Sequence, residues 1–388
     1  MATDNAVTSP GSSDAERPAL RLEAITKRFP GTSEVAVDAL SLDVARGSIV
    51  ALIGPSGCGK TTTLRMINRL IEPTSGRIEI EGEDVTRTPV AQLRRGIGYV
   101  IQQVGLFPHR SIAQNIATVP RTLGWERDRV AARIDELVEL VGLDPSMLDR
   151  FPDELSGGQQ QRVGVARALA ADPPILLMDE PFGAVDPIVR ARLQDELVDL
   201  QRRVHKTIVI VTHDIDEAIR LADRVALLNV GGVLEQYAPP DEILRAPASE
   251  FVERFVGHDR ASKRLSLAYV RELPFDRGPV VDVGASADEA RAAMETYRTD
   301  WVGLLEGTRF AGWIDGRELG DGDAPAGRPR EHPAAVVEPD STLRRALEII
   351  MTSSTSVAVV EDEGRFGGVV TLEGIRAVLA QGAPEPVA

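Results

Sequence analysis

Residues 48–70 read SIVALIGPSGCGKTTTLRMINRL: an apolar run, a glycine-rich loop and a helical pattern. The loop, residues 54–61, fits G-x-x-x-x-G-K-[ST], and a strand before it and a helix after it are the context that this motif requires. Its glycines let backbone N–H groups curl around phosphate oxygens, and the helix N-terminus adds positive potential. Lys60 is expected to reach the terminal phosphates and Thr61 to ligate Mg²⁺. The stretch therefore predicts a nucleotide site in an α/β domain.

The length and composition of the chain limit the alternatives. The 388 residues, 43% of them hydrophobic, predict a globular protein of two or three domains. No apolar run approaches the ~20 residues of a membrane-spanning helix, and the N-terminus lacks the apolar core of a signal peptide, so we expect a cytoplasmic protein. The single cysteine, Cys58, agrees with a reducing compartment. A formal charge of −15 disfavours broad nucleic-acid binding, although it leaves room for a local basic patch.

The order of patterns along the chain predicts its domains. Apolar strand-like runs alternate with helical patterns up to about residue 245, which is typical of an α/β domain with a largely parallel sheet. Two shorter units follow, and RFAG at 309–312 aligns with RFGG at 365–368. The predicted parts are a disordered leader at 1–18, the α/β domain at 19–245, a linker at 246–263, and two units at 264–325 and 330–384, each reading helix, strand, turn, strand, helix.

A second acidic motif supports the nucleotide site. The apolar strand at 174–178 ends in the adjacent carboxylates Asp179 and Glu180. At the end of a strand beside a phosphate loop, Asp179 is expected to hold Mg²⁺, directly or through water, and Glu180 to polarise the attacking water. Acidic pairs at strand ends are also common on solvated surfaces, but the upstream loop favours the catalytic interpretation.

The segment LSGGQQQR, residues 155–162, extends the comparison. With the two preceding motifs it strongly resembles the signature of the ATP-binding cassette (ABC) family, over roughly residues 20–245. The resemblance implies a P-loop NTPase with a RecA-like core, an antiparallel β subdomain and a helical subdomain. It also implies that the serine and glycines of the signature cover the γ-phosphate of ATP held by a second copy of the chain, since free N–H groups at a helix start attract an anion. A capped helix start without a ligand is the alternative.

The other family motifs follow in order. Phe29 matches the aromatic residue that stacks on adenine, where the family more often has Tyr, and Gln102 matches the glutamine that contacts Mg²⁺ and the attacking water, with Gln103 the weaker candidate. Asp186 matches the dimer-contact aspartate, and His213 the histidine that senses the γ-phosphate. The resemblance implies these sets: catalytic Glu180, His213 and Gln102; ATP-binding Phe29, Gly54, Pro55, Ser56, Gly57, Cys58, Gly59, Lys60, Thr61, Thr62, Gln102 and Asp179; in trans Ser156, Gly157, Gly158, Gln159 and Asp186; and Mg²⁺-binding Thr61, Gln102 and Asp179.

ATP hydrolysis by such a chain must be coupled to a process carried out by another protein. A single cassette without a membrane segment resembles the subunits of importers whose permease is a separate polypeptide, which implies a location at the cytoplasmic face of the membrane. Leu106, Phe107 and Pro108 would then lie near the groove for the permease; packing under the helical subdomain is the alternative. A soluble ABC ATPase acting on ribosomes or DNA is a second reading, but the double cassettes, coiled coils or zinc sites of such proteins do not occur in the sequence.

The C-terminal repeat narrows the expected substrate. Residues 288–319 and 342–375 resemble tandem CBS (α+β) domains, and a cassette fused to such a pair resembles the ATP-binding subunit of importers for glycine betaine, carnitine, choline or proline betaine. Importers of another small solute remain the alternative. The implied partners are a second copy of the chain, the transmembrane permease and, indirectly, a substrate-binding protein.

The CBS-like repeat departs from the nucleotide-binding pattern of its family. That pattern is G-x-x-[ST]-x-x-[DN], and it aligns with Gly368 to Gly374 in the second unit. Thr371 keeps the hydroxyl of the pattern, but Gly374 stands where the ribose-binding acid would be. In the first unit Asp315 places a carboxylate where phosphate would sit, and two anions repel each other. We therefore expect AMP and ATP to bind poorly there, and the module to serve dimer contact and a response to ionic strength or to a cyclic dinucleotide.

Overall fold

The computed structural model describes residues 17–102, 105–183, 185–320, 322, 326, 335–353 and 357–380. It divides into two compact units, the first ending at Val256 and the second beginning at Gly257. The predicted leader, apart from residues 17 and 18, and the secondary candidate Gln103 lie outside the described residues. The domain bounds given above stay predictions.

The strands of the first unit form two sheets. The antiparallel sheet has the order β2-β1-β4-β5 and contains β1 (Leu20–Arg28), β2 (Val35–Val44), β4 (Ser75–Ile80) and β5 (Glu83–Asp84). The six-stranded sheet has the order β10-β9-β3-β8-β7-β6 and contains β3 (Ile49–Ile53), β6 (Ile97–Val100), β7 (Ile175–Asp179), β8 (Thr207–Val211), β9 (Arg224–Asn229) and β10 (Val233–Ala238). Only β10 of this second sheet pairs antiparallel, as a hairpin with β9.

Ten described α-helices accompany these sheets, and four of them lie between β6 and β7 as a helical segment. They are α1 (Lys60–Ile67), α2 (Val90–Arg95), α3 (Ile112–Ile116), α4 (Thr118–Thr122), α5 (Arg127–Leu140), α6 (Gly157–Leu169), α7 (Pro187–Val204), α8 (Ile215–Leu221), α9 (Pro240–Arg245) and α10 (Glu250–Val256). Short 3-10 helices occupy Pro145–Met147 and Pro152–Glu154.

The central strands of the six-stranded sheet position the site. Every residue of β3 (IVALI) and β8 (TIVIV) is buried, as expected for parallel strands covered on both faces. The strands β3, β8, β7 and β6 are consecutive parallel neighbours. Residues that follow these strands therefore meet at one edge of the sheet, where ligands of open α/β sheets bind.

The second unit contains the predicted repeat. Its elements are α11 (Arg260–Leu265), β11 (Val280–Asp282), α12 (Ala287–Tyr297), β12 (Trp301–Glu306), β13 (Arg309–Asp315), β14 (Val336–Val337), α13 (Leu343–Thr352), β15 (Val357–Asp362), β16 (Arg365–Thr371) and α14 (Leu372–Ala380), with 3-10 helices at Val270–Glu272 and Gly316–Glu318. They form two sheets, β11-β12-β13 and β14-β15-β16, each with one parallel and one antiparallel pair. The predicted fold class, a cassette with a separate antiparallel sheet and a helical segment followed by paired α+β units, is confirmed.

One detail of the repeat differs from expectation. The second half of the repeat closes with α14. At the corresponding place, the first half has only the 3-10 helix Gly316–Glu318 among its described residues. A β-carbon at Gly316 would lie 2.4 Å from Met294 Cε, so this residue lies against the Met294 side chain of α12. The expectation of a closing α-helix in the first unit was therefore wrong for the residues described.

Candidate functional site

The phosphate loop joins β3 to α1. Gly54 and Gly59 have φ angles of 146° and 97°, which favour glycine. A β-carbon at Gly54 would lie 2.1 Å from the carbonyl oxygen of Leu228, so the loop lies directly against β9. Lys60 Nζ donates hydrogen bonds to the carbonyl oxygens of Gly54 at 2.7 Å and Pro55 at 3.0 Å. The ammonium group is thus fixed against the loop at the start of α1.

Thr61 and Asp179 lie together beside this loop. Thr61 Oγ1 donates a hydrogen bond to Asp179 Oδ1 at 3.0 Å, joining α1 to the end of β7. Burial raises the pKa of the Asp179 carboxyl group, and the Thr61 hydrogen bond partly opposes this effect. Hydroxyl and carboxylate oxygens are ligands that Mg²⁺ prefers, and this ion keeps its other positions for water and phosphate oxygens. The pair fits a Mg²⁺ site.

The other two predicted catalytic side chains, Gln102 and His213, converge on Glu180. Glu180 has a φ of 46°, uncommon for a residue other than glycine and characteristic of functional sites, and its N–H donates to Val211 at the end of β8 at 2.9 Å. Gln102 Nε2 donates to Glu180 Oε2 at 3.0 Å, and His213 Nδ1 lies 3.3 Å from Oε1. The ends of β6, β7 and β8 therefore bring together an amide, a carboxylate and an imidazole.

The signature residues begin helix α6 in a different cleft. The Ser156 hydroxyl accepts a hydrogen bond from the N–H of Gln159 at 3.4 Å, and Gln159 Oε1 accepts one from the N–H of Ser156 at 2.9 Å. This is a capping box. Gly157 and Gly158 line the same cleft with Asp186, and its described lining includes no residue of the phosphate loop. Within one chain, the two halves of the predicted ATP site are separate.

Asp186 and Phe29 are placed by local interactions. The Asp186 carboxylate caps α7, accepting hydrogen bonds from the N–H groups of Ile188 at 2.9 Å and Val189 at 3.4 Å. Phe29 is 39% exposed, and Lys27 Nζ lies 5.2 Å from its ring centroid. An exposed ring suits stacking on a base better than packing in a core.

Sequence reasoning missed a buried group next to His213. Thr212 Oγ1 donates to Glu217 Oε2 at 3.1 Å and accepts from the N–H of Asp214 at 3.1 Å. Burial raises the pKa of Glu217 to about 7. The available signal was Asp214 followed three residues later by Glu217, a spacing typical of a helix start. That spacing places Glu217 in the first turn of α8 but does not reveal its burial.

A further cleft lies on α3 and α4. Phe107 was predicted near a permease groove, and it lines this cleft with Arg110, Gln114, Thr118 and Arg121. The Arg110 guanidinium carbon lies 4.6 Å from the Phe107 ring centroid. The described lining residues include no carboxylate, so the cleft is cationic on a chain of net charge −15.

Local hydrogen bonds occupy the two turns of the repeat at which the sequence differs from the nucleotide-binding pattern. The Asp315 carboxylate accepts from the N–H of Arg317 at 2.9 Å, and Thr371 Oγ1 accepts from the N–H of Gly374 at 3.1 Å. Both side chains therefore cap the turn that follows their strand. Weak binding of AMP at these turns stays a prediction.

Comparison with known proteins gives two family matches. A profile described as "ABC transporter" matches residues 37–183, and one described as "CBS domain" matches residues 330–381. A dimeric bacterial ABC transporter cassette, MJ0796, superposes with a TM-score of 0.52 and 32% identity, covering 57% of this chain and 98% of the solved one. None of the described helices is long and apolar enough to cross a bilayer.

Curated relatives match nearly the full length. The glycine betaine/carnitine/choline transport ATP-binding protein OpuCA of Bacillus subtilis is 46% identical, over 91% of this chain and 94% of the relative. The osmoprotectant import ATP-binding protein OsmV of Salmonella typhimurium is 44% identical, over 94% of this chain and 97% of the relative.

Proposed function

The chain belongs to the ABC transporter family, among the ATP-binding subunits of osmoprotectant importers, and we propose that it energises uptake of a quaternary-amine compatible solute. Glycine betaine, carnitine, choline and proline betaine are the candidates; the relatives named for the first three support this class. The observation that carries the proposal is the convergence of Gln102 and His213 on Glu180, next to the phosphate loop. That convergence supports a hydrolytic site in a chain of this family.

The chain is an ATPase, and its described geometry supports the following role for each group. Lys60 and the loop N–H groups would bind the phosphates, and Glu180 would accept a proton from the attacking water. Gln102 and His213, both within 3.3 Å of the Glu180 carboxylate, would hold that carboxylate and contact the water and the γ-phosphate. Thr61 and Asp179 would hold Mg²⁺, which supplies charge neutralisation at the phosphates when bound.

A second copy of the chain would complete each ATP site. The signature helix and Asp186 line a cleft apart from the phosphate loop, which supports their action in trans. The dimeric form of the MJ0796 cassette supports the same arrangement. Two chains would then enclose two nucleotides. Closure of this dimer on ATP and its opening after hydrolysis would drive the conformational change of the partner protein.

The partner that receives this work would be the transmembrane permease, which would hold the chain at the cytoplasmic face of the membrane. The cleft of Phe107, Arg110 and Arg121 is the proposed docking site, because its positive charge suits acidic groups and carbonyl oxygens of a cytoplasmic permease segment. A substrate-binding protein would act on this chain only through the permease. The CBS-like module would respond to ionic strength or to a cyclic dinucleotide.

The catalytic assignment is tested by Glu180→Gln. We expect ATP binding to persist and hydrolysis to fall by ~10²–10⁴-fold, because the general base is lost while Lys60 and the loop remain. The variant should accumulate as an ATP-bound dimer, measured by phosphate release and size-exclusion chromatography. Glu136→Gln, which alters an exposed carboxylate on α5, is the control. Hydrolysis at the wild-type rate, or a monomer under conditions that close the wild-type dimer, would refute the assignment.

The substrate class needs a separate experiment. The chain should co-purify with a permease, and reconstituted vesicles containing a quaternary-amine-binding protein should import glycine betaine in an ATP-dependent way. Purification on ribosomes, or import of unrelated solutes alone, would contradict the proposal.

A further inference from the structure

A buried acidic side chain, Glu217, and a half-buried basic one, Arg190, lie outside the roles assigned so far. Glu217 is only 6% exposed; its Oε2 accepts from Thr212, but its buried Oε1 has no hydrogen-bond partner in the described part of the chain. Arg190 Nε, on α7, is likewise buried without a partner there. Buried polar atoms are nearly always paired, so each exception calls for an explanation.

Helices α7 and α8, which carry Arg190 and Glu217, pack against each other. Burial raises the pKa of Glu217, and the positive charge of Arg190 is among the influences that lower it again. The unpartnered atoms are an N–H donor on a cation and an oxygen acceptor on a carboxyl group. They are complementary, although no hydrogen bond or ion pair joins these two residues in the described part of the chain.

Each group is also attached to a functional loop. Arg190 Nη2 donates to the carbonyl oxygen of Val185 at 3.2 Å, next to Asp186. Glu217 holds Thr212 Oγ1, which in turn accepts the N–H of Asp214, so the bonds of one carboxylate fix both neighbours of His213. The loop that precedes α7 is therefore hydrogen-bonded to Arg190, and the loop that precedes α8 is hydrogen-bonded to Glu217.

We propose that Arg190 and Glu217 are positioning residues that pair when the ATP site closes and so couple the Asp186 loop to the His213 loop. In the closed dimer Asp186 contacts the second chain and His213 contacts the γ-phosphate, an arrangement that rests on the proposed function. Pairing of the two groups would therefore bring His213 to the γ-phosphate at the same time as Asp186 contacts the second chain. Neither residue touches the reacting atoms, and both act through the loops they hold.

The test uses the full-length variants Glu217→Gln and Arg190→Gln. We expect each to lower kcat by roughly 10- to 100-fold, the size of effect that a misplacement of about 1 Å produces, with KM for ATP nearly unchanged. Glu217→Gln should melt no lower than the wild type at pH 8, because it removes a buried ionised group. Loss of rate without loss of stability separates positioning from structural support. A lower melting temperature with an unchanged kcat would overturn the proposal.

A double variant and a matched control complete the test. Residues that act as one unit give non-additive effects, so the double variant should be no slower than the slower single one. The control is Arg220→Gln, which breaks an exposed ion pair with Asp195 between the same helices, with N to O distance 2.6 Å. It should leave kcat unchanged. Multiplicative losses in the double variant, or an equal loss in the control, would overturn the proposal.

Glu180→Gln distinguishes the possible failures. If it is inactive while Glu217→Gln retains the wild-type kcat, the pair has no positioning role and the catalytic assignment stands. If Glu180→Gln itself hydrolyses ATP normally, the catalytic assignment fails first.

Discussion

Asp179 and Glu217 are both carboxyl groups whose pKa is raised by burial, yet their surroundings give them different consequences. Asp179 lies beside Thr61 at the proposed Mg²⁺ site, where a bound cation would restore its ionised form. Glu217 faces Thr212, Asp214, His213 and Arg190 and has no proposed ligand. In the chain without nucleotide, ionisation of Glu217 therefore opposes folding.

This difference predicts a pH dependence of stability. The pKa of Glu217 is about 7 in the folded chain against 4.5 for the ordinary group, so the folded state binds the proton more tightly. Its contribution is fully present below pH 4.5 and is lost as the pH rises through 7, a total of roughly 3 kcal/mol. Glu217→Gln should lack this loss. Chemical unfolding of both chains at pH 5 and pH 8 checks it, and parallel pH profiles would contradict it.

The two sets of residues around His213 differ in how far the sequence could predict them. Gln102, Glu180 and His213 each follow an apolar strand, and parallel strands end at one edge, so their meeting could be anticipated. The contact of Thr212 with Glu217 could not, because an acid in the first turn of a helix is usually solvated there. Its burial depends on how α8 packs on the sheet.

Helix α6 is the element on which the trans arrangement depends. Its first residues are capped from within, by Ser156 and Gln159, and this cap satisfies only part of the free N–H groups at a helix start. The remaining groups lie in the cleft with Asp186. The cap and the binding of a partner's phosphate are therefore compatible uses of one helix end.

Ser156→Arg tests this element. We expect ATP binding to persist and hydrolysis to stop, because the bulky side chain blocks the cleft that would cover the partner's γ-phosphate. Mixing this variant with Lys60→Ala leaves one intact composite site per mixed dimer, so phosphate release should recover in part. Each variant alone serves as the control. Full recovery in the mixture would contradict two sites shared between two chains.

The hairpins of the repeat were predictable element by element. RFAG and RFGG start strands of equal length, and Gly312 and Gly368 pair with Leu304 and Val360 before the same irregularity in register. The 3-10 helix Gly316–Glu318, which stands among the described residues where the second hairpin is followed by α14, was not predictable from that alignment. Its Gly316 lies against the Met294 side chain of α12, a tertiary contact that the alignment does not reveal.

At the scale of the whole molecule, each unit has its own buried core. Strands β1, β3, β7 and β8 and helix α1 supply the main cluster of the first unit, while α13, β15, β16 and α14 supply one in the second. A unit with its own core can fold by itself. Catalysis and regulation can therefore be separated by truncation.

A chain ending at Val256 should keep ATPase activity within about twofold of the full chain, because its core and site residues are intact. In the reconstituted importer we expect its transport to respond differently to salt, since the Debye length falls from ~10 Å at 0.1 M to ~3 Å at 1 M and a charged sensor module would be absent. Transport measured across that range, with the full chain as control, checks this. An identical salt response would remove the sensor role.

The contact between the phosphate loop and Leu228 decides how freely this chain can drift in evolution. Gly57 needs only a backbone that residues such as Asn adopt, since a β-carbon there would meet open space. Gly54 and Gly59 face carbonyl oxygens at 2.1 Å and 2.4 Å, so even the smallest side chain would have to displace a neighbouring strand. A residue such as Asn could replace Gly57 alone at the cost of some backbone strain, whereas Gly54 and Gly59 could change only together with the strands behind them.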